Sequence, residues 1–347
     1  MDHKKLNAVI YAILAALFYA INIPCSKLLL NNVSPTFMAA FLYMGAGIGV
    51  GIMYIFHAKK EPRKERLGQE DIPYTLAMVG LDIIAPILLM IGVKLGSAAN
   101  ASLLGNFEIV ATTLIAFGLF REKVSARLCG AISLITLASV ILSFSGEGSF
   151  SFSLGSVFVL GATLCWGLEN NCTRKISGKS TYEIVTIKGI GSGTGAFIVA
   201  MILGESIPGF SYMVLIMILG FVAYGLSIFT YIRAQKTLGA AKTSAYYAIA
   251  PFIGVLMSAV FLRERFTIMF IIALIIMILG TVLIVRDTLI HSHKHAHTHL
   301  ITHTHDGSTH THTIEHSHDH IHVINEGKHG HTHSAEELET AIGHRGY

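Results

Sequence analysis

The chain has 347 residues, of which 52% are hydrophobic and only 13% charged, with a formal net charge of +4 and a mean hydropathy of +0.61. About a quarter of the residues in a soluble domain are charged, because its surface must face water. The composition therefore excludes an ordinary soluble globular protein and indicates a chain that lies largely in a lipid bilayer.

Ten apolar runs follow one another before residue 286, each about long enough to cross a ~30 Å hydrocarbon core as a helix. They cover residues 6–30, 35–56, 74–93, 98–120, 126–144, 154–175, 180–204, 212–232, 243–261 and 266–285. The connecting segments are mostly short and leave no room for a soluble domain between the runs. We therefore expect an all-α integral membrane protein with ten transmembrane helices.

Basic residues indicate the orientation of these runs. Lys and Arg concentrate at the run ends that share a side with the N-terminus, whereas the opposite ends carry only Lys27, Lys94, Arg263 and Arg265. Cytoplasmic loops are enriched in Lys and Arg. The pattern predicts a multi-pass protein of the cytoplasmic membrane with both termini in the cytoplasm.

Three segments of the first half of the chain have counterparts in the second half. The matching pairs are LFYAINIPCSK (17–27) with LCWGLENNCTR (164–174), EIVATTLIAFGLFREKVS (108–125) with APFIGVLMSAVFLRERFT (250–267), and GAGIGVG (45–51) with GIGSGTG (189–195). Each half holds five runs, and because five is odd the second copy must enter the membrane from the opposite side. The glycines lie inside apolar runs, which favours tight helix packing over a phosphate-binding loop.

With these segments in place, the chain resembles the EamA-like members of the drug/metabolite transporter superfamily. The resemblance implies two inverted five-helix repeats, at residues 1–146 and 147–286, followed by a cytoplasmic tail at 287–347. Family members commonly have Glu-Pro in the middle of the fourth span of a repeat. Here the first copy has Glu108-Ile109 and the second has Ala250-Pro251, so each copy keeps half of that motif.

Ionisable groups within the spans are the first candidates for a site, because a charge in the membrane is costly. Asp82 and Glu108 lie near the middle of the third and fourth runs. Such a carboxylate is suited to taking up a proton or to binding a cationic substrate. The alternative is a protonated carboxyl group that only bonds a neighbouring helix. Glu169 and Lys188 lie nearer the cytoplasmic end and favour an ion pair.

Further polar and aromatic residues at similar depth are expected to line a cavity or to tie helices together. They are Tyr19, Asn22, Asn106, Trp166 and Tyr246. No hydrolase or nucleotide-binding motif accompanies them, so we expect a transporter and not an enzyme. It should need no cofactor and should either draw on a gradient or run downhill.

The tail from residue 287 is rich in histidine and poor in apolar residues, which predicts a mostly disordered segment. ITHTHDGSTHTHTI (301–314) alternates on both sides of an Asp-Gly pair, so a hairpin is compatible with it. That hairpin would bring His303, His305, His310 and His312 to one face. Imidazoles in such a group suit zinc, nickel or copper(II), and a proton sensor is the alternative.

The leading hypothesis is a secondary transporter that exports a small metabolite or amphipathic compound by alternating access. The alternative is a divalent metal transporter (zinc, nickel or cobalt) in which the tail binds, delivers or senses the metal. A membrane anchor for a metal-responsive tail is a weaker third hypothesis. The expected partners are the lipid bilayer and a small-molecule substrate, with divalent metal ions and a homodimer left open, and no nucleic acid.

Overall fold

The structure is a computed structural model of the chain and describes residues 3–57, 66–120, 126–144, 153–176, 178–238, 243, 246–305 and 308–323. The chain divides into two compact units, Met1–Val285 and Arg286–Tyr347. Each unit is described by itself.

The described part of the first unit is helical throughout. Its α-helices are α1 (His3–Ala20), α2 (Asn22–Leu29), α3 (Pro35–His57), α4 (Ile72–Leu95), α5 (Ala98–Leu104), α6 (Phe107–Phe120), α7 (Ala126–Ser143), α8 (Leu154–Ile176), α9 (Thr181–Ile202), α10 (Phe210–Gly220), α11 (Ser227–Leu238), α12 (Ala250–Phe261) and α13 (Ile268–Leu289). A 3₁₀ turn at Gln69–Asp71 leads into α4, and a π-helical turn at Phe221–Leu226 joins α10 to α11.

Seven of the described segments are long and apolar enough to cross a membrane. They are Leu6–Leu29, Pro35–His57, Gln69–Leu95, Ala126–Ser143, Thr181–Ile202, Phe210–Ala234 and Ile268–Arg286. The predicted runs at 98–120, 154–175 and 243–261 are not among them. The first is divided between α5 and α6, the second is the more polar α8, and the third is described mainly by the short apolar helix α12.

Large apolar side chains also cover the outer surface of the helices. Phe56 is 82% exposed, Ile268 81% and Ile55 72%. Water solvates such a surface poorly, whereas lipid tails solvate it without cost. The first unit is therefore a multi-pass membrane protein.

Helices α3 and α9 cross at the two glycine-rich segments found in the sequence. A Cβ atom placed on Gly47 would lie 2.5 Å from the backbone nitrogen of Ile190, and one on Gly193 would lie 2.7 Å from that of Met44. Only glycine allows the two backbones to approach so closely. The predicted tight packing of these glycine segments is confirmed, and the crossing brings the Tyr43 carbonyl group of α3 against Gly189 of α9.

Charged side chains cap helix ends at one end of the bundle. Glu264 accepts hydrogen bonds from the backbone N–H groups of Ala98 (2.7 Å) and Ala99 (2.9 Å) at the start of α5. Lys27 donates to three carbonyl groups at the end of α4, including that of Val93 at 2.7 Å. A carboxylate at a helix start and an ammonium at a helix end both match the helix dipole.

The second unit is described as two antiparallel strands, β1 (Ile290–His305) and β2 (Ser308–Val323). This differs from the mostly disordered tail that the sequence predicts. Histidine alternates with threonine, isoleucine and other residues at a period of two, which suits a strand and supplies β-branched residues to the ladder. The Asp-Gly pair of the predicted turn and residues 324–347 lie outside the described residues.

Candidate functional site

A cavity of about 380 Å³ lies inside the first unit where the interrupted helices meet. Residues of α1, α2, α3, α5, α8, α9 and α11 form its walls, together with the π-helical turn and the starts of α6 and α12. Helix α6 begins after the break at Gly105-Asn106, and α12 begins at Ala250-Pro251. Interrupted helices next to a cavity are common in transporters, because the cavity can accommodate unpaired backbone groups.

A buried ion-pair network occupies one side of this cavity. The Lys188 ammonium lies 2.9 Å from a carboxylate oxygen of Asp82 and 3.0 Å from one of Glu169. Both carboxylates are almost completely buried. The other Asp82 oxygen accepts hydrogen bonds from the Tyr43 hydroxyl (3.2 Å) and the Trp166 indole N–H (3.1 Å). One lysine thus holds together side chains of α3, α4, α8 and α9.

Glu108 faces the cavity apart from that network. It lies in the first turn of α6, where the helix dipole favours a negative charge. Its carboxylate accepts a hydrogen bond of 2.7 Å from the Asn170 amide, which also contacts the Thr112 hydroxyl at 3.3 Å. Neither partner carries a charge. Glu108 is therefore a carboxylate held in place by neutral groups.

Tyrosine rings form a continuous wall across the cavity. The ring of Tyr224 lies 5.2 Å from that of Tyr43 and 6.0 Å from that of Tyr19, which in turn lies 5.8 Å from Tyr247. The Asn22 amide donates a 2.9 Å hydrogen bond to the Tyr224 hydroxyl. Tyr224 belongs to the π-helical turn, and such turns often occur at functional sites.

The structure brings most of the predicted site residues together. Tyr19, Asn106, Glu108, Trp166 and Glu169 line the cavity. Asp82 and Asn22 are fully buried. Each is hydrogen-bonded to a residue that lines the cavity, Asp82 to Trp166 and Asn22 to Tyr224.

Tyr246 does not line the cavity and is 38% exposed. Its neighbour Tyr247 lines the cavity instead, because consecutive residues of a helical segment point about 100° apart. Sequence reasoning also missed Tyr43, Tyr224 and Asn170. The signal for Tyr224 was available, since it is a lone tyrosine with a hydrogen-bonding hydroxyl within the apolar stretch FVAYGL.

Asp82, Glu169 and Lys188 were predicted separately, and the sequence favoured only a Glu169–Lys188 ion pair. That pair is present, but Asp82 shares the same ammonium. Among the residues that the structure describes, no group of three or more His, Cys, Asp or Glu side chains is arranged to hold a metal ion. Side chains of the histidine tail, including His303, His305, His310 and His312, lie outside that description.

Membrane helices around an internal cavity that holds buried charged groups are typical of the class of membrane transporters. Comparison with known proteins specifies the family: the EamA-like transporter family matches residues 6–144 and again residues 153–286. The chain belongs to this family, whose members are transporters and not enzymes. The two matches lie one after the other along the chain.

Two further similarities concern one relative and one solved structure. An uncharacterized transporter of Methanothermobacter thermautotrophicus (strain Delta H) is 28% identical over 306 residues, which cover 80% of this chain and 85% of that protein. A solved crystal structure matches with a TM-score of 0.58 and 18% identity, over 80% of this chain and 94% of its own. The crystal structure shows similarity of fold alone.

Proposed function

We propose that the protein is a secondary active transporter that exports a small metabolite or amphipathic compound through the central cavity. The observation that carries the proposal is the cavity itself, where a buried ion-pair network and a separate carboxylate meet an aromatic wall. Charged groups are retained inside a membrane mainly where they serve transport. Flux of candidate compounds into proteoliposomes that contain the purified chain tests the proposal, and protein-free liposomes are the control.

Alternating access would follow from ten spans arranged as two inverted repeats of five. The helix contacts support this arrangement. If each helix is replaced by its counterpart in the other half of the chain, one observed contact becomes another. Helix α4 packs on α8 as α1 packs on α11, and α3 packs directly on α9. An impermeant thiol reagent applied to intact cells should leave a cysteine added at either terminus unlabelled, since both termini are proposed to be cytoplasmic. Labelling of one terminus alone would contradict the inverted-repeat arrangement.

Glu108 and Asp82 are proposed to have different roles in transport. Glu108 faces the cavity and is proposed to contact the substrate or a proton. Asp82 lies behind the wall and pairs with Lys188, so its proposed role is to keep the ammonium in place and to couple proton movement to rearrangement of α9. Glu108→Gln should abolish substrate flux. Asp82→Asn should reduce flux and, in addition, weaken its dependence on an imposed pH gradient.

Metal binding by the tail is a separate proposal, supported by strand register. Cross-strand alignment pairs histidine with histidine at five positions: His291 with His322, His293 with His320, His295 with His318, His297 with His316, and His303 with His310. Directly opposite residues of an antiparallel ladder share a face, and neutral imidazoles are good zinc, nickel and copper(II) ligands. The alignment therefore supports metal binding along one face of the hairpin.

Calorimetric titration with zinc tests the tail. The full chain should bind several zinc ions, and deletion of residues 290–347 should remove that binding while metabolite flux continues. Zinc flux that persists after the deletion would instead favour a metal ion as the cargo.

A further inference from the structure

The central cavity contains more acidic than basic groups. Lys188 is the one basic side chain among the described lining residues, whereas Glu108 and Glu169 line the same cavity and Asp82 lies directly behind it. Lys188 is already engaged by Asp82 and Glu169, at 2.9 and 3.0 Å. Among the described residues, the Lys188 ammonium pairs with these two acids and not with Glu108.

Glu108 consequently lacks a contacting positive charge in the described structure. An uncompensated carboxylate removed from water is unfavourable by several kcal/mol. Its charge is therefore neutralised by a proton or by a cation that enters the cavity. The Asn170 amide holds one of its oxygens at 2.7 Å. That bond orients the carboxylate at the cavity wall without cancelling its charge.

Aromatic rings surround the space next to Glu108. Tyr19, Tyr224 and Tyr247 line the same cavity as Glu108, and the rings of these tyrosines are neighbours in the wall. The face of an aromatic ring attracts a cation, most strongly when the site is shielded from water. A carboxylate and several ring faces around one space are the combination that recognises an organic ammonium group.

The remaining walls suit an apolar body attached to that ammonium. Ile23, Ile109, Val185 and Ile228 line the cavity, and a volume of about 380 Å³ lies within the usual range of small-molecule sites. A bare metal cation would instead require several converging oxygen, nitrogen or sulfur ligands. The aliphatic and aromatic side chains that dominate these walls do not supply them.

We infer that the cavity binds a monovalent organic ammonium ion, with Glu108 as its counter-ion and Tyr19, Tyr224 and Tyr247 as its aromatic enclosure. The inference rests on the proposed transport function and specifies its substrate class. A primary amine would donate hydrogen bonds to Glu108, and a quaternary ammonium would rely on charge and ring contact alone. Glu108 is the one carboxylate among the described lining residues that lies outside the Lys188 network, so it balances a single positive charge.

The chain contains a single tryptophan, and this residue, Trp166, lines the cavity. Its fluorescence in the purified full-length protein therefore reports on cavity occupation. We would titrate choline, phenethylammonium and benzyltrimethylammonium, and compare choline with its neutral isostere 3,3-dimethylbutan-1-ol. Thermal shifts of the same samples give a second readout. At least one ammonium should bind saturably, and choline should bind at least about tenfold more tightly than the alcohol.

Three variants make the test specific. Glu108→Gln should weaken ammonium binding at least about tenfold, and Glu108→Asp should retain part of it. Glu70→Gln is the matched control, because Glu70 is 82% exposed at the protein surface and should leave binding unchanged. Equal affinity for choline and the alcohol would overturn the inference. So would unchanged ammonium affinity in Glu108→Gln, or no fluorescence change and no thermal shift with any of the three ammonium ions.

Counterflow of radiolabelled ammonium in proteoliposomes separates this inference from the proposed function. Specific ammonium binding without counterflow would support the cation site and contradict transport. Flux of a neutral or anionic metabolite in a protein that binds no ammonium would support transport and overturn the cation site. Counterflow that Glu108→Gln abolishes and Glu70→Gln preserves would support both.

Discussion

Lys188→Met tests whether one buried lysine stabilises the cavity wall. The substitution keeps most of the side-chain volume but leaves the Asp82 and Glu169 carboxylates without the ammonium that lies 2.9 and 3.0 Å from them. Removal of one partner from a buried ion pair typically costs about 3–5 kcal/mol, because the remaining charge stays buried and unpaired.

The lower end of that range is expected here. Asp82 keeps its hydrogen bonds from Tyr43 and Trp166, Glu169 keeps the one from Thr173, and 19% of the Lys188 side chain is exposed. A loss of about 3 kcal/mol lowers Tm by roughly 6–12 °C in a domain of about 150–250 residues, and by less in this longer chain. Thermal unfolding of the detergent-purified protein, followed by circular dichroism, measures it.

Lys179 provides a matched control, because it also lies between two acids, Glu70 at 3.5 Å and Asp71 at 3.3 Å. This pairing is outside the cavity, and Glu70 is largely exposed, so water screens it. Lys179→Met should therefore lower Tm much less than Lys188→Met. Neutralising the acids together with the lysine, as Asp82→Asn, Glu169→Gln and Lys188→Met, should recover at least half of the loss. Equal effects of the two lysine substitutions, or no recovery in the triple variant, would refute the reasoning.

Further predictions concern packing, capping and the tyrosine wall. Gly47→Ala should destabilise the protein by about 1–3 kcal/mol, since the added methyl group would meet the α9 backbone at 2.5 Å; Gly80→Ala, where nothing lies within 4 Å, should not, and unfolding curves compare them. Glu264→Ala should cost about 1–2 kcal/mol by removing the acceptor of two N–H groups at the start of α5; hydrogen exchange at those amides should increase, and unchanged exchange would contradict the capping role. Tyr224→Phe should leave the Asn22 amide without its 2.9 Å acceptor and lower stability by about 1–3 kcal/mol, whereas an unchanged Tm would mean that the bond contributes nothing.

The membrane class of the chain could be predicted from the sequence. Apolar runs of about 20 residues must be helical in lipid, because every backbone polar group needs a partner within the segment. The mid-membrane depth of Asp82 and Glu108 stays a prediction from their positions within their runs. The duplicated glycine segments predicted the close helix crossing, because a missing side chain permits close approach wherever two such segments meet.

Which side chains meet around the cavity was decided by the tertiary structure. The sequence favoured Tyr246, but the rotation of its helical segment brings Tyr247 into the wall. Hydropathy could not reveal that rotation. The lipid-facing and inward-facing sides of a membrane helix are both apolar, so the sequence shows little amphipathic periodicity. The shared ammonium between Asp82 and Glu169 likewise depends on α4, α8 and α9 packing together. Residues 82, 169 and 188 are far apart in sequence, so only the packing of three helices makes them one network.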